Sequence, residues 1–512
     1  MTNRIILVFI LGTVLGMNAL PVLAQKMSAD QMKQAAEREL TVALTELVDF
    51  LKIPNNGRFP EQVDQNLKWC KRKFEGLGFD TRTLNTAGAP LLFAERVVNR
   101  QRPNVLFYLQ IDGQPVDSTR WNQTNPYDAV LKSKDSNDWT IEPWSKLNSD
   151  VDRDWRIFAR SASDSKGPAM AFMHALNILN ELDVKPDYNI KVIMDFQEEL
   201  GSPYLPAAVA KHKDLFKADM LFIMDGTRHL SNLPTLTFGA RGIATVTLKV
   251  FGARRALHSG QYGNFSPNPV FKLSRLIAGM KDEQGRVLIP GFYDGVELTG
   301  QVKKSINSLP ENLEEIKTSL GIAVPESVGG SYQEALQYPS LNVRGLSAAW
   351  VGKEVRTLIP ADATAEIDMR LVPETPGERQ VDLLRNYVES QGFHLVDSIP
   401  SEAERAVYEN LASFRYRLGS RAFRTEFDSQ AGKWLTAAMT KAFGPDGFVK
   451  MRTTGGSQPM APFINTLGVP AVSIRIPNPD NSIHAPNENL RIGNFLEGIQ
   501  MCLAVLTQEI KE

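Results

Sequence analysis

The run NIKVIMDFQEE, residues 189–199, decides the fold class of this chain. Its apolar residues are near-continuous rather than alternating, the pattern of a strand buried on both faces, and two acids follow directly. Three other runs read the same way: NVLFYLQID (104–112), DMLFIMD (219–225) and PAVSIRI (470–476). KGPAMAFMHALNILNEL (166–182), between the first pair, has the spacing of an amphipathic helix. The expectation is α/β architecture, a mixed, mostly parallel sheet with helices on both faces. Three runs end in acids, at Asp112, Glu198-Glu199 and Asp225, and Asp164 stands just before the helix. Open sheets of this kind bind ligands outside the carboxyl ends of their strands. Each acid taken singly reads as a solvated loop residue; together at one rim they read as a site.

Working outward, Ser28 to Leu51 and Gln62 to Leu77 have helical periodicity, the second ended by Gly78. From Phe238 to about Pro400 the pattern changes. GIATVTLKVFG, LNVRGLSAAWVG and ATAEIDMRLVP alternate as half-buried strands, with helical stretches at 268–280 and 376–391. Sheet-type runs resume after about Arg424, so residues 237–422 read as an α+β unit inserted between two parts of one domain, 25–236 and 423–512.

Lys+Arg and Asp+Glu number 57 and 58, a net charge of −1 in 512 residues, which lacks the electrostatic footprint of a nucleic-acid binder. Residues 1–24 carry Arg4, an apolar run from Ile5 to Leu15, and Pro21-Val22-Leu23-Ala24. They read as a secretory signal peptide cut after Ala24, with an uncleaved anchor as the alternative. The expected location is therefore the periplasm or the exterior, with no membrane contact after cleavage. That compartment permits a bond between Cys70 and Cys502, but two separate packed thiols are expected. Grouped carboxylates with a nearby histidine suit zinc, manganese or cobalt. His484, in DNSIHAPNE, and His258, in ALHSGQYGNFSPNP, occupy informative loops, although a lone loop histidine is ordinarily a surface residue. His174 reads as structural.

The ordered set LQIDGQPV, ARSASDSKGP, QEELGSP, MDG, ALHSG, EIDMRLVP, GGSQP and HAPNE resembles the dinuclear-zinc metallopeptidases that include carnosine dipeptidase, glutamate carboxypeptidase and aminoacylase. The resemblance runs from about residue 40 to the end, and PGFYDGV (290–296) points to the dipeptidase branch. It implies a zinc-exopeptidase-like fold whose insert serves as lid and dimerisation unit. It makes Asp164 the carboxylate shared by two metals, with Glu199 and His484 completing one and Asp225 part of the other. Glu198 becomes the general base, and Asp112 orients the side chain at position 110. It implies a cis bond between Asp164 and Ser165. Arg370, with Gly455, Gly456 and Ser457, would hold the substrate's terminal carboxylate; Asn268 is a further contact. His258 would reach a neighbour's site across a homodimer.

The chain departs from that pattern in three places. Gln110 stands where the family has a ligating histidine, Thr454 where it has an acid, and Ser165 where it often has aspartate. The expected activity is metal-dependent hydrolysis of small peptides. The alternatives are N-acyl amino-acid hydrolysis on the same fold, or a non-catalytic binding protein with a metal site degraded at Gln110.

Overall fold

A computed structural model describes residues 27–135, 138–148, 151–458 and 460–510. The leader assigned to residues 1–24 lies outside them. The four apolar runs become strands Asn104–Gln110, Asn189–Asp195, Met220–Ile223 and Ala471–Arg475. They lie together in an eight-stranded sheet. Its order is Asp80–Leu84, Leu91–Arg96, Asn189–Asp195, Asn104–Gln110, Met220–Ile223, Ala471–Arg475, Thr235–Thr237, Val449–Met451. Four of the seven neighbouring pairs are parallel, so the sheet is mixed.

Both faces are covered, which explains the near-continuous apolar runs. Val105, Phe107 and Leu109 pack into one core with helices Ala29–Leu51, Lys166–Glu181, Gln430–Phe443 and Ile492–Leu506. Leu106 and Tyr108 enter the core on the opposite face, with Leu205, Val209, Phe216 and Phe463. At about 1.5–3 kcal/mol for each fully buried large side chain, these layers anchor the central strands. The first helix starts at a capping box formed by Ser28 and Gln31. Its C-terminal end is tied to the site: the buried Lys166 amine donates to the Phe50 carbonyl at 2.8 Å and the Ile53 carbonyl at 2.6 Å. Lys166 also opens the crossover helix, two residues after Asp164.

The chain leaves the large sheet at Gly239–Ala240 and returns beside that point at Phe423–Arg424, the two segments pairing antiparallel. Between them lies a five-stranded sheet in the order Ser340–Ser347, Asp362–Leu371, Gly242–Phe251, Leu411–Leu418, His394–Val396. Helices Pro269–Ala278 and Gly377–Ser390 pack on one face. The alternating burial of Asp362–Leu371 follows directly, one side on the core and one toward solvent. Among the features the sequence reading missed are the strands Asp80–Leu84, Leu91–Arg96 and Thr235–Thr237 of the large sheet, the last two strands of the inserted sheet, the helical segment containing Gly300–Asn307, Leu313–Leu320 and Tyr332–Ala335, and a four-stranded sheet built from Val130–Asp135, Asp138–Ile141, Arg156–Phe158 and Asn489–Arg491. Cys70 and Cys502 are both buried and unbonded, as separate thiols. Burial pushes the Cys70 thiol up to about 12. No helix among the described residues is long and apolar enough to cross a membrane.

Candidate functional site

At the carboxyl ends of the central strands the expected acids line a cavity of about 390 Å³. Asp164, Glu198, Asp225 and His484 face it, together with Gln110, Thr454, Gly456 and Ser457. His484 Nε2 lies 3.0 Å from Asp164 Oδ2 and 3.2 Å from Glu199 Oε2. One donor atom from each of these three residues falls within 4.8 Å of the others, which suits a single cation. The peptide bond between Asp164 and Ser165 is cis, as the resemblance implied.

Each side chain is held by a particular piece of local structure. Asp164 sits in a loop organised by Glu488, a fully buried carboxylate in the HAPNE motif. Glu488 accepts N–H bonds from Ser161, Ser163 and Asp164 at 2.9–3.0 Å and pairs with Arg160 at 2.6 Å. Glu198 and Glu199 occupy a short turn directly after the strand Asn189–Asp195. Asp112 lies beneath that turn, accepting the Glu198 N–H at 2.9 Å and the Glu199 N–H at 3.1 Å. This corrects the expectation that Asp112 orients position 110. Its carboxylate accepts from two adjacent backbone donors and Gln110 bonds Asp164 rather than Asp112, so Asp112 aims the acid pair instead.

Gln110 ends its strand as expected and donates from Nε2 to Asp164 Oδ1 at 2.5 Å, leaving Oε1 buried with no hydrogen bond. Asp225 accepts from Ser165 Oγ at 3.2 Å and from Gln458 Nε2 at 3.3 Å. Gln458 is itself held by Ser473.

The electrostatics are those of a site short of positive charge. Burial pushes the Glu198 carboxyl well above its usual range, and Asp225, Glu199, Asp164 and Asp112 add to the effect. Burial likewise raises Asp164 and Asp225, with Arg475 partly offsetting the latter. Hydrogen bonds to Asp164 and Glu199 pull His484 up to about 10, so its proton stands where a cation would. Glu199 Oε1 is buried and unpartnered. Hard oxygen donors, an imidazole, an orphaned carboxylate oxygen and excess negative charge together fit a bound divalent ion.

Other expected residues separate into two groups. Arg370 donates from Nη1 to Ser457 Oγ at 3.1 Å, so these two meet at the cavity edge. Gly456 lines the cavity, whereas Gly455 packs near Leu336. Asn268 lies elsewhere: its side chain accepts the Val270 N–H at 2.9 Å as the N-cap of Pro269–Ala278, which explains the residue without a ligand. His258 is exposed, accepts the Gly260 N–H at 3.1 Å, and does not line the cavity of its own chain. His174 is buried against Glu39 at 2.6 Å, a structural role as expected.

Sequence reasoning missed several residues here. Glu488, Gln458 and Gln114, which donates to Glu199 Oε2 at 2.7 Å, were inside quoted motifs and could have been found there. Arg475 faces the cavity from the end of its strand, packed against Gly226. Glu311 and Gln333 carry no sequence signal, because only the fold of the insert brings them to the cavity; His229, four residues after Asp225, lines it too.

Comparison with known proteins gives the family. Residues 126–508 match the model of Peptidase family M20/M25/M40. The chain belongs to this family. Among its relatives is the Cys-Gly metallodipeptidase dug1 of Schizosaccharomyces pombe, 27% identical over 371 residues that cover 71% of this chain and 74% of that protein. The human Beta-Ala-His dipeptidase is 27% identical over 429 residues, covering 81% and 76% of the two chains. The solved structure of an M20 family metallo-carboxypeptidase from Sulfolobus solfataricus superposes with a TM-score of 0.74 at 28% identity, covering 91% of this chain and 98% of that one. The mixed α/β sheet with its helices is thus the fold of this peptidase family.

Proposed function

We propose that this family member is a metal-dependent dipeptidase that hydrolyses small peptides with a free terminal carboxylate. The observation that carries this reading is Glu198 facing one cavity with a metal-ligand group, Asp164 and His484 in the wall and Glu199 beside them. The names of the relatives, a Cys-Gly metallodipeptidase and a Beta-Ala-His dipeptidase, support it.

Asp164, Glu199 and His484 would hold one divalent ion. Asp164 and Asp225, with the amide oxygen of Gln110, would hold a second and weaker one. Zinc is the expected metal, with manganese or cobalt as alternatives. When bound, such ions polarise a carbonyl and make a water more acidic. Glu198 takes the proton of the attacking water on a carboxylate oxygen and returns it to the leaving nitrogen. Asp112 keeps Glu198 in place through the backbone of the turn. Arg370 and Ser457 receive the substrate's terminal carboxylate, with the Gly455-Gly456 backbone beside them. His258, exposed and away from its own cavity, serves the neighbouring site of a homodimer. Export to the periplasm or exterior rests on the sequence pattern of residues 1–24.

Glu198→Gln tests the reading. Dipeptide turnover should fall about 100- to 10,000-fold, the range of a general base, while metal bound per chain stays the same. Substantial residual turnover removes Glu198 from the role. A second reading, N-acyl amino-acid hydrolysis, is favoured by Thr454, which places an uncharged side chain at the cavity where the family has an acid.

A further inference from the structure

Among the described residues four acids line the cavity: Asp164, Glu198, Asp225 and Glu311. The first three are committed to metal and proton. Glu311 comes from the inserted unit, just before the helix Leu313–Leu320, and is held in one orientation by residues of both units. Gln333 Nε2, from the insert, donates to Glu311 Oε1 at 2.7 Å. His229, from the loop after Asp225, has Nε2 at 3.0 Å from the same oxygen. The Ser231 N–H donates to His229 Nδ1 at 3.2 Å, which leaves the ring proton on Nε2 to donate to Glu311. Both donors therefore converge on Oε1, and among the described residues Oε2 accepts no hydrogen bond. Gln333 and His229 are each 2% exposed, so the pair is a built support rather than a surface encounter.

We propose that Glu311 Oε2 receives the substrate's terminal ammonium, so that the site selects a free N-terminus. The inference rests on the dipeptidase reading. A dipeptide is a zwitterion, and a short cavity must meet both charges. Two residues span about 7 Å when extended, and a cavity of about 390 Å³ accommodates them. Arg370 and Ser457 meet the carboxylate end. Glu311 is the one cavity acid left for the other end, and it compensates for the uncharged Thr454. An N-acyl substrate would bring a neutral group to Oε2 and leave the carboxylate without its cation, which is how a site rejects the wrong substrate.

Alanyl-alanine and N-propionyl-alanine differ only in the α-ammonium, and both are tested with zinc-loaded wild type, Glu311→Gln and Glu311→Asp. Wild type should favour alanyl-alanine by about 100-fold or more in kcat/KM. Glu311→Gln should reduce that preference at least about tenfold through the KM of alanyl-alanine, and Glu311→Asp should restore part of it. An equal loss on both substrates, or none on either, overturns the proposal, because a structural role would not distinguish them. Wild-type turnover without preference overturns it too, yet spares the hydrolase reading. If wild type hydrolyses neither, the dipeptidase reading fails. Equilibrium binding of the two compounds to zinc-loaded Glu198→Gln then decides the proposal: a preference for alanyl-alanine that Glu311→Gln abolishes supports it, and equal binding overturns it.

Discussion

Glu488→Gln is the most demanding change that can be made to this site without touching a proposed metal ligand. Its carboxylate is fully buried and holds four N–H donors, two on each oxygen, and the Ser163 hydroxyl also donates to Oε1 at 2.8 Å. Arg160 Nη1 and the Ser161 N–H meet Oε2 at 2.6 and 3.0 Å; the Ser163 and Asp164 N–H groups meet Oε1 at 3.0 and 2.9 Å. Burial raises this carboxyl, Arg160 pulls it down, and Asp164 raises it again. An amide has the same shape but one acceptor end. Whichever way it turns, its NH₂ faces two donors that have lost their acceptor. Hydrogen bonds to a charged group contribute about 1.5–3 kcal/mol each, so two lost bonds cost about 3–6 kcal/mol. Partial relaxation of the loop favours the lower end. For a unit of this size the melting temperature should fall by about 6–12 °C, measured by thermal unfolding in EDTA so that metal does not contribute. The amide oxygen should stay with the charged Arg160, which turns the NH₂ toward the backbone N–H of Asp164, so metal affinity should fall as well. A drop of less than about 2 °C would refute the claim that Glu488 organises the ligand loop.

Three further outcomes are expected. Gln110→His should raise the metal retained after mild chelation from near one per chain toward two; two equally tight ions in the wild type by titration would contradict this. Gly226→Ala should destabilise by at least about 1–2 kcal/mol, because this residue has φ of +89° and an added Cβ would lie 2.0 Å from Arg475 Nη1. Thermal unfolding and metal counting together would detect it, and a neutral result would mean that Arg475 is free to move. Burial opposes ionisation of Glu46, but hydrogen bonds from His174 and Lys73 outweigh it and lower its pKa from 4.5 to about 2. Its stabilisation is therefore present above pH 4.5 and lost as pH falls toward about 2. His174 is shifted the other way: burial lowers it, but hydrogen bonds to Glu39 and Glu46 win and raise it above 6.5. That contribution is full below pH 6.5 and fades as pH rises through the raised value. The loss of stability on the acid side should be shallower in Glu46→Gln than in the wild type, and an unchanged slope would remove Glu46 from the titration.

Much of the architecture was legible because it follows from burial alone. A strand covered on both faces must be apolar at nearly every position, so the runs at 104–112, 189–199, 219–225 and 470–476 announced a sheet with helices on either side. The acids at their ends announced a rim, and motif order then identified Asp164, Glu198, Glu199, Asp225 and His484 as a group. The structure brings these five together. Asn268 misled because an N-cap asparagine and a ligand-binding asparagine look the same in sequence. Asp112 misled because its partners are backbone N–H groups, which every residue carries and no motif marks.

What the sequence by itself determined is therefore the fold class and the acids at the strand ends, since periodicity and strand ends are local properties of the chain. Only the tertiary structure decided which donors those acids meet. Glu488 is 324 residues from Asp164 in sequence and 2.9 Å away in space. His229 and Glu311 are 82 residues apart and come from different units of the molecule. Contacts of that kind depend on how distant stretches of chain pack together in the fold, and no spacing along the chain encodes that distance.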